Sequence, residues 1–234
     1  MMENFGLPLG SDHLKLLVGN EARTRRVSVT NLKKHFRDLL LIGTCLCALY
    51  QAATCHRKCH GGSHVLEALA GRTYNLSAAA YNLITLGYYD EALNLTRGIG
   101  EIYNLIALST VDKKALREWL SSDKKTRLRK FSPSKVRKML KEKREEFMIT
   151  DEDWYSDLCE KYTHVSPFTR PNMHNESTAM VGGVYQDKGL EESLDKLSSI
   201  LCATSLFVCR YFNFDDLFEE ICNCLETSQR DETK

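Results

Sequence analysis

The chain has no diagnostic catalytic motif, no convincing strand pattern and no surplus of either charge. Ala179 to Tyr185 is the only stretch that could alternate as a strand, so the expected fold is all-α. A net charge of +1 argues neither for nor against a nucleic-acid partner. Long hydrophobic runs are missing too. The greasiest, Leu39 to Ala53, is 15 residues long and contains Gly43 and Thr44. A membrane-spanning helix needs roughly 20 apolar residues, so this run reads as a buried core helix, and no membrane partner is expected. Met1 to Gly10 has no basic segment leading into an apolar one, so no secretory signal is expected. Cysteine is not scarce, but it lacks order. Nine residues without regular spacing read as reduced thiols in a cytoplasmic protein, not as a disulfide framework.

What the chain has is helix. At 234 residues, 43% hydrophobic and 27% charged, its composition is ordinary for a globular protein with a sizeable core. The expected organisation is an N-terminal arm over 1–27, one all-helical domain over 28–226 and a short tail over 227–234. The domain is a helical bundle built around a long antiparallel αα-hairpin, with helices over 63–86 and 89–111 joined at Gly87-Tyr88-Tyr89-Asp90. In the first helix Leu66, Leu69, Thr73, Leu76, Ala80 and Leu83 recur at helical spacing, and Gly87 is a natural C-cap. The second helix is apolar nearly all round. Ala92, Leu95, Ile99, Ile102 and Ile106 form one stripe, while Leu93, Leu105 and Leu108 lie opposite among Asn94, Arg97, Glu101 and Asn104. Such a helix is expected to be buried on both sides, and its polar row must then find partners. Gly98 and Gly100 each cost about 1 kcal/mol relative to Ala, which close approach of neighbouring helices would explain.

Outside the hairpin, Ser28 or Thr30 could cap a helix to about Ala53, with Leu32, Phe36, Leu39, Leu46 and Tyr50 facing inward. A basic linker and helix occupy about 113–148. Lys113 to Leu120 reads as a short helix, Ser121 to Lys130 as a charged linker, and Ser132-Pro133 as a helix start. Further helices are expected over 151–164, 190–211 and 214–226.

Arg97 and Glu101 stand one turn apart and are the first candidates for a site. They form either a surface ion pair or a buried polar pair facing a cleft. Arg72 on the preceding helix could point to the same interior, and Arg72 and Asn104 are expected to support this polar core. His164 ends a helix, where the dipole favours imidazolium. It is either a capping group or a general acid and base. Lys124, Lys125, Arg127, Arg129, Lys130, Lys135 and Arg137 form a basic run that could track a phosphate backbone or simply face solvent, with Phe131 the only aromatic close by. Cys55, His56, Cys59, His60 and His64 resemble a metal cluster at first glance. Gly61-Gly62 break the helix that would align them, so the expectation is a loop with no metal, and no cofactor is implied.

The stretch from Leu69 to Ser109, notably Gly87-Tyr-Tyr-Asp-Glu-Ala-Leu93 and Arg97-Gly-Ile-Gly-Glu101, resembles a group of uncharacterised bacterial all-helical proteins. Phe131 to Arg137 and Tyr162 to His164 extend the likeness over about 65–170. At a further remove it is similar to the HEPN superfamily, many of whose members are metal-independent ribonucleases of toxin–antitoxin and antiviral defence modules. Their signature is an Arg followed by a polar residue and then a His, with four to six residues between Arg and His. Arg57 and His64 have that spacing, although Lys58 follows the arginine and the two glycines intervene. The resemblance implies a protein that binds or cleaves RNA without metal, with Arg97, Glu101 and His164 as candidate catalytic residues. The alternative is a non-catalytic helical module that docks a partner protein or a second copy of itself.

Overall fold

The computed structural model describes residues 9–231, except 60, 168, 176 and 177 and the side chains of 227–231. The described residues form an all-α fold with no strand, so Ala179 to Tyr185 is irregular. The helices are α1 (Ser11–Leu32), α2 (Phe36–Ala53), α3 (Val65–Leu86), α4 (Tyr89–Val111), α5 (Lys113–Ser121), α6 (Lys124–Lys130), α7 (Pro133–Lys143), α8 (Glu152–Tyr162), α9 (Asp187–Phe212) and α10 (Asp215–Asp231).

The hairpin lies at the centre. Gly87 closes α3 in the left-handed region at φ 78°, where a side chain would be strained, and α4 begins two residues later. The helices run antiparallel: Leu76 and Gly98, equidistant from Gly87, meet so that a Cβ on Gly98 would lie 3.8 Å from the leucine. The other glycine answers to the opposite flank. A Cβ on Gly100 would lie 2.9 Å from the Trp154 ring of α8. Helix α4 packs on α3, α9, α7 and α8. That is why Leu93, Ile99, Tyr103, Ile106 and Leu108 are all buried although they point in different directions. The main core is shared by α2, α3, α4, α9 and α10, and a smaller cluster of Leu108, Ala115 and Val136 fastens the basic α5–α7 segment to α4.

Three local expectations need correction. Residues 11–32 form a helix packed on α3 and not an arm. Only Thr24, Ser28 and Leu32 are buried in it, so no apolar stripe announces it, and Ser28 lies inside the helix instead of capping one. A 3-10 turn at Lys33–His35 then resets the helical phase before α2. The buried face of α2 is therefore Leu41, Ile42, Cys45, Ala48, Leu49 and Ala52, while Phe36 and Tyr50 are exposed. Finally, the charged linker contains helix α6, capped by the Asp123 carboxylate accepting from the Thr126 amide. By length and composition alone, Ser11–Ala53 contains a window apolar enough to cross a membrane, with a third of that window buried in the bundle.

Candidate anion-binding site

The polar row of α4 meets α8 and α7. Asp151 caps α8 by accepting from the Trp154 amide at 2.7 Å, which fixes the helix start and sets Trp154 against Gly100. The next residue, Tyr155, thereby reaches the Arg97–Glu101 pair. Arg97 Nη1 donates to Glu101 Oε1 at 2.6 Å and also to the Tyr155 hydroxyl, which in turn donates to the same carboxylate oxygen at 2.7 Å. Arg97 and Glu101 side chains are 19% and 33% exposed, so the pair is half-buried, not sealed. Burial, then the hydrogen bond to Glu101 and its charge, push the Tyr155 phenol up, so it stays a neutral donor.

Arg137 approaches the other side of this group. Sequence reasoning placed it on the nucleic-acid-binding surface with its lysine neighbours, but it is 9% exposed, and its guanidinium stacks 3.8 Å from the Tyr155 ring centroid. Arg97 lies 5.2 Å from the same centroid. Two guanidinium groups thus converge on one tyrosine with a single carboxylate between them. Arg97 Nε and Arg137 Nη1 are buried and have no hydrogen-bond partner among the described residues. Each unpaired buried donor costs about 1–3 kcal/mol, and of the two arginines only Arg137 also lines a cavity that could admit an anion. Beside Arg137 a cavity of about 570 Å³ is lined by Lys135, Lys138 and Lys141 together with Glu145, Asp151 and Glu152. Two of these acids are already engaged: Asp151 caps α8, and Glu145 lies 3.7 Å from Lys141. The remaining residues of the basic run, Lys124, Lys125, Arg129 and Lys130, are exposed, while Arg127 folds back on the Ser122 carbonyl.

The other sequence candidates separate. Arg72 and Glu101 do line one cleft, of about 520 Å³ between the hairpin and Trp119, Phe131 and Val136, but Arg72 stands exposed. Asn104 is buried and accepts from Thr150 at 2.7 Å, so it supports the loop before α8 and does not touch the ion pair. His164 is exposed just past α8, its amide bonded to the Cys159 carbonyl, and no described contact joins its ring to Arg97 or Glu101. The structure therefore does not assemble Arg97, Glu101 and His164. Arg57 grips Asp216 at 2.5 and 2.7 Å, so it is not a partner of His64 either.

The histidine that sequence reasoning missed is His174. Its side chain is 3% exposed, with Nε2 3.0 Å from Asp90 and Nδ1 3.2 Å from Glu192. Its ring stacks on Tyr162 and meets Tyr89 edge-on. Burial works against its charge, but the two carboxylates outweigh it and raise the pKa to about 9. Around it Asn172 donates to the Gly87 carbonyl and accepts from the Tyr89 amide, while Gln186 accepts from the His174 and Asn175 amides. This network ties Asn172, His174, Asn175 and Gln186 to the hairpin joint. It leaves the ring no free nitrogen for chemistry, so its role is structural.

No family model, curated protein or solved structure matches this chain.

Proposed function

We propose that the protein binds RNA through the phosphate backbone, along the α6–α7 face, and does not cut it at Arg97 and Glu101. The observation that carries this reading is Arg137, whose buried Nη1 lacks a partner beside the cavity of Lys135, Lys138 and Lys141. Residues 113–144 hold fourteen Lys and Arg against three Asp and Glu, a net +11 in a chain of net +1, so the molecule is strongly polarised. Such a stripe is the electrostatic footprint of a phosphate-tracking surface. The choice of RNA rests on the HEPN resemblance. Geometry supports binding without cleavage at this pair: attack by the 2′-hydroxyl needs a general base, no described contact brings the exposed His164 ring to Arg97 or Glu101, and the ring nitrogens of His174 are committed to Asp90 and Glu192.

The test is binding of a labelled single-stranded RNA to wild type and to Lys135→Glu/Lys138→Glu. The expected result is salt-sensitive binding that the double reversal weakens by ~10-fold or more, with the RNA left intact. Unchanged affinity, or cut RNA, overturns the proposal.

One observation favours the interaction-module alternative. Leu14, Val18 and Val29 of α1 are exposed apolar residues on a helix. If they join copies of the chain, light scattering gives a dimer mass that Leu14→Asp/Val18→Asp reduces to the monomer.

A further inference from the structure

The connection between α2 and α3 brings together groups that the sequence pattern had set aside. Cys55 Sγ, Cys59 Sγ and a His64 ring nitrogen lie within 4.8 Å of one another. The two glycines that break the helix are what make this possible. Gly61 and Gly62 adopt φ values of 71° and 84°, and the chain curls so that His64, at the mouth of α3, returns to the two cysteines. A fourth group stands beside this trio, next to His64. Glu67, in the first turn of α3, is 7% exposed, and its carboxylate lies 3.3 Å from His64 Nδ1, its sole ion-pair partner among the described residues. A buried carboxylate is expensive unless a cation or several donors compensate it.

The distances suit one metal in particular. Zinc bonds of about 2.3 Å to sulfur and about 2.0–2.1 Å to nitrogen or oxygen, in a tetrahedron, place a sulfur about 3.5 Å from a nitrogen, and a nitrogen about 3.3 Å from an oxygen. Cys55 Sγ stands 3.8 Å from His64 Nδ1, and Glu67 Oε1 stands 3.3 Å from it. Cys59 Sγ faces the other ring nitrogen at 3.9 Å, so an ion held at Nδ1 requires the Cys59 side chain to turn toward it. Two thiolates, one imidazole and one carboxylate are a mixed set that suits Zn²⁺; hard oxygen-seeking cations would not choose it.

We propose that Cys55, Cys59, His64 and Glu67 form a structural zinc site that clamps the end of α2 to the start of α3. Binding displaces the two thiol protons, so the bound ion meets two thiolates, a neutral imidazole and a carboxylate. Four protein ligands leave no open position for substrate, which makes the site structural and not catalytic. It lies on the α2–α3 connection, apart from the α6–α7 face, and stands or falls independently of RNA binding.

The experiment measures zinc per chain in protein purified under reducing conditions. It then titrates zinc into the chelator-stripped full-length chain against a chromophoric competitor. The variants are Cys55→Ser, His64→Ala and Glu67→Gln, with Cys47→Ser, an exposed thiol outside the cluster, as control. One zinc per chain is expected in wild type and in the control. Each ligand variant should lose affinity by more than the ~10–100-fold typical of residues that merely support a ligand. Should a variant fail to fold, the wild-type stoichiometry and titration still decide the matter. The proposal is overturned if stripped wild type does not bind zinc. It is also overturned if any ligand variant retains wild-type affinity, or if intact mass shows a Cys55–Cys59 disulfide, two hydrogens lighter, in place of metal.

Discussion

Raising the pH from about 6.5 to about 9 should weaken this protein through one residue. His174 has an ordinary value of 6.5 in the unfolded chain and about 9 in the fold. A raised folded value means the native state holds the proton more tightly. The stabilisation is therefore complete below about 6.5 and disappears as pH rises through about 9. At about 1.4 kcal/mol per unit, the difference is worth ~3 kcal/mol, an order-of-magnitude figure for a ring 3% exposed between two carboxylates. Glu192 works in the opposite sense. The His174 hydrogen bond lowers its value, so its contribution holds above its ordinary 4.5 and is lost as pH falls through the folded value. Stability should accordingly peak between these two windows. Urea unfolding of wild type and His174→Gln, followed by circular dichroism across the range, isolates the effect of this cluster because titrating groups that do not touch His174 cancel in the difference. The variants should differ by ~3 kcal/mol near pH 6 and converge above about 9. A difference that does not change with pH would refute a charged His174.

Other perturbations probe the hairpin and its polar row. Glu101→Gln removes the charge that pairs with Arg97 and accepts from Tyr155; because the pair is half-buried, the cost lies between the surface and buried limits, at ~2 kcal/mol. Thermal melts should show it as a fall of ~4–8 °C, and Arg97→Ala/Glu101→Gln should cost less than the sum of the single changes. The two glycines of α4 should respond with opposite signs in the same assay. Gly98→Ala meets Leu76 at ordinary contact and should stabilise by ~0.5–1 kcal/mol, whereas Gly100→Ala drives into the Trp154 ring and should destabilise by ~1–2 kcal/mol.

The parts of this fold that the sequence makes legible are those written in local spacing. The α3–α4 hairpin, its Gly87 closure and the burial of α4 on several faces follow from residues three and four apart, and the structure has them. The Arg97–Glu101 contact is legible for the same reason, being a single helical turn. Tyr155 is not, since it arrives from another helix 54 residues away. Helix α1 hides because the few positions it buries are mostly hydroxyl residues. His164 is conspicuous by its place at a helix end, yet that place is the surface. His174 lies in an aperiodic stretch, and Asp90, one of its two carboxylates, is 84 residues distant, so only the folded chain reveals it. The grouping of Cys55, Cys59 and His64 is not legible either, because Gly61-Gly62 break the helix that would align them. Left-handed glycines align them by another route.

Arg137→Gln offers the most direct test of the central claim, because function and stability pull apart at that residue. The substitution removes a buried donor that has no partner and also a cation–π contact with Tyr155, so the two effects offset within about 1 kcal/mol. RNA affinity measured against salt concentration is the decisive reading. The account predicts weaker binding and a log–log slope shallower by roughly 0.7 for the lost phosphate contact, with the melting temperature nearly unchanged. Unchanged RNA affinity and slope together with a marked loss of stability would contradict it, and would make Arg137 a structural residue.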